Sequence, residues 1–185
     1  MSGGGRAPAL RWALLGVGVA IALGVFAAAV RAWWFVGDDA YISFRYAEAL
    51  ATRGALEFNP GERVEGYTNF LWVVLLAAGI RLGAAPEVLA PWLGAAMSLA
   101  GLGVAAGLGR RLRGVKGPWT ALDLAPALLL AVTPEYGVWA TSGLEGGTAA
   151  TLVLESAPSS VSSTAWGGRS RVHWRNRGSS AVSVS

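Results

Sequence analysis

Apolar and polar residues fall in blocks along this chain. Residues 12–30 form an uncharged apolar run, and 70–80, 88–108, 121–132 and 146–154 form further ones. The one long polar stretch between apolar ones, 37–70, holds most of the acidic residues. A bilayer core takes ~20 helical residues to cross, so 12–30 predicts a span, and of the later runs only 88–108 reaches spanning length unaided. A signal peptide is the competing reading of 12–30, with Ala27-Ala28-Ala29 as a small-residue cleavage site. The run is too long for an h-region, however, and continues into the interface belt Trp33-Trp34-Phe35.

Inside the polar stretch, Ala40, Phe44, Ala47 and Ala51 repeat at helical spacing and Gly54 stands where a C-terminal cap belongs. This predicts a helix over 38–53, lying along the membrane surface with Asp38 near its N-terminus. Asn59-Pro60-Gly61-Glu62 is a turn by its chemistry and folds the second half of the stretch toward the first. The expected fold is all-α: polytopic membrane helices over 1–154, with a surface helix in the first external loop. Beyond Leu154 apolar periodicity gives way to Ser, Arg and Gly. We expect 155–185 to be disordered; of its two readings, a natural basic tail or the truncated or frame-shifted end of a longer membrane protein, the composition favours the second.

Composition sharpens this. The chain is 54% hydrophobic and 14% charged, with mean hydropathy +0.47, which excludes an ordinary soluble domain. With no Cys and a single His, His173, in the atypical tail, thiol chemistry, a disulfide framework, a His-based metal cluster and a His triad are excluded. The net charge of +4 comes mainly from Arg outside the apolar runs and reads as membrane topology, not nucleic-acid binding. Arg6 and Arg11 favour a cytoplasmic N-terminus, which puts Asp38 and Asp39 outside. Arg110, Arg111, Arg113 and Lys116 also belong in the cytoplasm. Both hold only if 70–80 penetrates the membrane partway, and 134–145 then emerges outside, beside the polar stretch.

The candidate chemistry starts from Asp38 and Asp39, adjacent carboxylates where a span meets a surface helix. Arg45 follows Asp38 by seven residues, about two helical turns, and so shares its face. A carboxylate beside a guanidinium suits attack at a carbon bearing a phosphate, the Asp taking the proton and the Arg holding phosphate oxygens. The structural alternative is that an Asp caps the helix and Arg45 is an interfacial anchor.

Asp38-Asp39-Ala40-Tyr41-Ile42-Ser43-Phe44-Arg45-Tyr46-Ala47, followed by Phe58-Asn59-Pro60-Gly61-Glu62-Arg63-Val64-Glu65-Gly66-Tyr67-Thr68-Asn69-Phe70-Leu71-Trp72, resembles the first external loop of bacterial GT-C membrane glycosyltransferases. The arabinofuranosyltransferase-like proteins of cell-envelope synthesis are the nearest group. Trp139-Ala140-Thr141-Ser142-Gly143-Leu144-Glu145 resembles a later motif of theirs. The resemblance implies an integral protein of a bacterial-type plasma membrane that moves a sugar from a polyprenyl phosphate to a glycan or lipid acceptor on the outer face. It implies a loop Asp as base, which maps onto Asp38 or Asp39. Arg45, Arg63, Glu65, Tyr41 and Glu145 are the candidate substrate-binding residues. Some members take a divalent cation, for which two carboxylates here are a thin donor set. Gly146-Gly147 departs from the Thr and apolar residue expected after Gly-Leu-Glu.

Two rival classes follow. An inactive membrane remnant or assembly partner would keep the loop without the donor-binding helices. A transporter or channel fragment would carry ionisable residues in mid-span, and these runs have essentially none. Glu135 and Tyr136 either line the site from above or sit at a solvated helix end. Asp123, near Trp119 and the basic cluster, is expected at the interface. Gly101, Gly103 and Gly107 predict a small-residue helix-packing face.

Overall fold

The computed structural model describes residues 6–62, 64–114 and 117–156, and among them every regular element is helical. The order is α1 (Arg6–Ala32), α2 (Ala40–Arg53), α3 (Phe70–Arg81), α4 (Pro86–Arg113), a 3-10 turn (Ala121–Leu124), α5 (Ala125–Val132), α6 (Pro134–Ala140) and α7 (Gly146–Ser156). Among the described residues two helices are long and apolar enough to cross a membrane, over Pro8–Ala32 and Pro86–Arg113. The expected all-α architecture of an integral membrane protein is therefore present. Helix α7 runs two residues past the expected boundary at Leu154, and residues 157–185, where disorder is expected, lie outside the described residues.

The two long helices are antiparallel. Val30 of α1 shares a groove with Trp92 near the start of α4, whereas Val19 shares one with Ala106 further along it. Trp34 and Trp92 meet edge to face at 5.1 Å, a pairing suited to a membrane interface. Arg11 and the Arg110, Arg111, Arg113 group therefore lie toward one end of the bundle, and Asp38 and Asp39 toward the other.

Helix α3 keeps this arrangement intact by folding back along α2. Its twelve residues run antiparallel to α2. Asn69, just before it, bonds Ser43 in the first turns of α2, and Arg81 at its end donates to the carbonyls of Leu50 and Ala51 at 3.1 Å each. Both ends of α3 thus stay with α2. The apolar face of α2, Ala40, Phe44 and Ala47, is buried against Trp72, Val73, Leu76 and Ala77 of α3. Gly54 ends α2 in the left-handed conformation (φ 69°), its N–H bonding Leu50 O at 3.2 Å.

The chain returns through a bent pair. The 3-10 turn and α5 climb from the Arg-rich end, and α6 continues at 68° to them. At the break Pro134 begins α6, and the Thr133 hydroxyl donates to Leu129 O at 2.8 Å, occupying a carbonyl near the end of α5. Tyr136, considered for the site, is instead used inside the bundle: its hydroxyl donates to Ser98 O at 2.6 Å and its ring lies 6.1 Å from Phe26.

Helix α7 then packs alongside α4. The small-residue face is there, though in a different register from the one expected. Gly94, Ser98, Gly101 and Gly109 meet neighbouring helices, whereas a methyl group on Gly103 or Gly107 would touch nothing. Opposite that face, a side chain at Gly147 would collide with Ser98 and the Gly94 carbonyl, which gives the departure at this position a packing reason.

Candidate functional site

Asp38 and Asp39 lie in the turn that winds into α2. The carbonyls of Gly37, Asp38 and Asp39 accept the N–H groups of Ala40, Tyr41 and Ile42 at 3.0, 3.1 and 3.2 Å, so both carboxylates stand at the helix's positive end. The capping alternative can be checked directly. A capping Asp has an extended backbone and bonds a first-turn N–H through its side chain. Asp39 is helical instead (φ −64°, ψ −22°), and its side chain makes no cap bond. Both carboxylates are exposed, and among the described residues neither has a hydrogen-bond or ion-pair partner.

Arg45 is also exposed. Its Nε donates to Phe58 O at 3.0 Å, tying the loop to α2, and no ion pair joins it to either Asp. Tyr41 is exposed and stacks edge to face on Phe44 at 5.3 Å. Glu65 is exposed between two anchors: the Tyr46 hydroxyl donates to Val64 O at 2.7 Å and accepts Gly66 N–H at 3.1 Å. Arg63 lies outside the described residues. Glu135 is exposed at the start of α6.

The segment 141–145 is a strap across this end of the molecule. The Thr141 hydroxyl donates to Trp33 O at 3.0 Å, Ser142 O accepts Gly37 N–H at 2.9 Å, and Gly143 O accepts the Trp72 indole N–H at 3.0 Å. The residue immediately before the Asp pair is therefore held from 105 positions further along the chain. Gly143 has φ +83°, and a Cβ there would press on Ala40, Val36 and Phe44, so this position requires glycine twice over.

At the end of the strap, Asn69 Nδ2 donates to Glu145 Oε2 at 2.7 Å and to Ser43 Oγ at 3.0 Å. Sequence reasoning assigned no role to Asn69 or Ser43. The signal available was only a polar residue at the threshold of an apolar helix. Glu145 also lines a groove of about 400 Å³ between α3 and α7, with Thr68, Asn69, Phe70, Leu71, Trp72, Ala149 and Leu152. Of the site residues expected from sequence, the structure links Glu145 to the start of α2 and leaves Asp38, Asp39, Arg45, Tyr41 and Glu65 unpaired with one another.

For a divalent cation the fit is poor. Ca²⁺ takes ~6–8 oxygens and Mg²⁺ ~6, and among the described residues no group of three or more His, Cys, Asp or Glu side chains converges.

The class that fold and site define is an all-helical membrane protein with an acidic, strapped loop at one end of its bundle. The chain is similar to the terminal beta-(1->2)-arabinofuranosyltransferase of Mycobacterium tuberculosis (strain ATCC 25618 / H37Rv), with 33% identity over 141 residues. The match covers 71% of this chain, and the chain spans 22% of that relative's length. No family model and no solved structure matches the chain.

Proposed function

We propose that this chain is the loop-bearing part of a GT-C membrane glycosyltransferase that uses a polyprenyl-phosphate-linked sugar. One of the Asp38–Asp39 pair takes the proton from an acceptor hydroxyl. The freed oxygen forms the new bond at the anomeric carbon with inversion, and the bond from that carbon to the phosphate oxygen breaks, the electron pair leaving with the polyprenyl phosphate. Arg45 and Arg63 bind phosphate oxygens through charge-assisted hydrogen bonds. Glu65, Tyr41 and Glu145 contact the sugars. The acceptor is a glycan or lipid of the cell envelope. The similarity to an arabinofuranosyltransferase carries this reading, and the two uncapped carboxylates support it, being free to act as a base.

The test is sugar transfer by the membrane protein carrying this segment, with a polyprenyl-phosphate sugar as donor. General-base catalysis contributes ~10²–10⁴-fold, so Asp→Asn at the base lowers turnover by that factor while membrane insertion is kept. Arg45→Ala raises the KM for donor, because phosphate is bound before the transition state as well as in it. Normal turnover in both Asn variants would return the loop to a structural role, as in the remnant or assembly-partner reading.

We also propose that the Arg-rich end faces the cytoplasm and the strapped loop faces outward, across a bacterial-type plasma membrane. The shared end of Arg11 and Arg110, Arg111 and Arg113 supports this through the positive-inside rule. An alkaline-phosphatase fusion after Arg53 is expected to be active. An inactive fusion would reverse the orientation.

A further inference from the structure

Helix α2 divides the loop into two chemically different sides. Ser43 and Arg45 are two residues apart, ~200° around a helix axis. On one side Arg45 reaches Phe58 O and presents the rest of its guanidinium to solvent. On the other, Ser43, Asn69 and Glu145 form a hydrogen-bonded chain that ends at the groove between α3 and α7.

The groove's lining decides what it can hold. Among the described residues it contains a carboxylate, an amide, a hydroxyl, an aromatic and aliphatic wall, and no Lys or Arg. A phosphate placed there would face Glu145 without a counter-charge, an uncompensated repulsion at a partly buried position. A neutral molecule rich in hydroxyls meets none of that penalty. Carboxylate oxygens accept from adjacent sugar hydroxyls, and the ring's apolar face packs on the exposed Phe70 ring. Asn69 bonds only Oε2 of Glu145, and Oε1 has no partner among the described residues.

We infer that this groove is the acceptor subsite, in which Glu145, oriented by Asn69 and Ser43, accepts hydrogen bonds from the hydroxyls of a neutral glycan. This rests on the glycosyltransferase reading and deepens it: the phosphate-bearing donor takes the Arg45 side of α2, and the uncharged acceptor takes the Glu145 side. Glu145 is a binding residue, and Asn69 a positioning residue that acts through it.

The test is equilibrium binding to the full chain in nanodiscs. The probes are a neutral alkyl pentofuranoside, its counterpart lacking the ring hydroxyls, and polyprenyl phosphate without sugar. Hydrogen bonds to a charged group predict that E145A, or removal of the ring hydroxyls, each weaken glycoside binding about 10–100-fold. E145A should not add to the loss already caused by removing the hydroxyls, and polyprenyl phosphate should bind E145A and wild type alike. E145Q, which keeps the shape and one acceptor oxygen, guards against misfolding and gives a smaller loss. N69A weakens glycoside binding without affecting polyprenyl phosphate, and N69Q, which can still reach the carboxylate, restores part of it. Equal glycoside binding by wild type and E145A, no glycoside binding by wild type, or a loss that extends to polyprenyl phosphate would overturn the subsite. Transfer is measured separately. Binding as expected without transfer would overturn the reaction reading and leave the subsite. Transfer with an unchanged KM for acceptor in E145A would do the reverse.

Discussion

The two ends of the bundle hold their carboxylates in different ways. At the Arg-rich end Asp123 is consumed by structure. Asp123 is fully buried, its carboxylate held by Arg113 Nε at 2.6 Å and Nη2 at 3.0 Å and by the Thr120 N–H at 2.8 Å. Arg110 lies over the Trp119 ring at 4.9 Å and donates to Gly117 O. At the loop end, Asp38 and Asp39 stand exposed with no partner among the described residues, while the backbone on either side of them is tightly held. A carboxylate already satisfied by a guanidinium and a backbone N–H stabilises a fold. One left open on a fixed backbone is available to a substrate.

The largest effect expected is at the open pair, and it divides the two residues. By helical register Asp39 falls on the Ser43 side of α2, four residues before it, and Asp38 on the Arg45 side, seven residues before it. Asp39→Asn should therefore carry most of the ~10²–10⁴-fold loss in turnover, and Asp38→Asn should chiefly change the KM for donor. Steady-state kinetics with donor and acceptor varied in turn measure this. The reverse ranking would exchange the roles of the two sides.

A smaller and purely structural effect is expected at the other end. Asp123→Asn leaves Arg113 facing a neutral amide in a buried pair. Breaking such a pair costs ~3–5 kcal/mol, taken at the low end because Arg113 remains 21% exposed. Thermal unfolding in detergent should show the loss, and the glycoside and polyprenyl phosphate affinities of the folded fraction should stay unchanged. Altered ligand affinity would break the division between structural and functional charge.

The smallest effect lies in the strap. Gly143→Ala puts a side chain at positive φ and against Ala40, at a cost of about 1–3 kcal/mol. Since the strap holds Gly37, the same substitution should lower turnover more than donor binding. A stability loss with unchanged kinetics would mean that the strap does not set the geometry of the Asp pair.

How much of this was legible in the sequence follows from the range of each interaction. Helices α1 to α4 were visible because an apolar run and a period are local properties. That the 70–80 run forms a helix too short to span followed from its length. The strap was not legible: Asn69 and Glu145 are 76 positions apart and Trp72 and Gly143 are 71 apart, and no local pattern encodes such bonds. Asp123 and the basic cluster were both noticed, yet the Arg113–Asp123 ion pair depends on the 3-10 turn at Ala121–Leu124 packing against the end of α4, which composition does not reveal. Of the expected glycine face Gly101 does pack, but Gly103 and Gly107 only look like a packing pair, and the contacts follow Gly94, Ser98 and Gly101, on another face of α4.

The 68° bend between α5 and α6 has a consequence for biogenesis. The two pieces, Ala121–Val132 and the seven residues of Pro134–Ala140, are each shorter than the ~20 that partition into lipid as an independent unit. This segment therefore depends for its place in the bilayer on a docking surface already there. Synthesis order supplies one: α1 and α4 leave the ribosome first, presenting Ala22 and Ala106 to Ala127, and Ala29 to Gly137. The bent pair is thus templated by α1 and α4, and damage to the face of α4 should appear as a failure of membrane integration before it appears as a loss of activity.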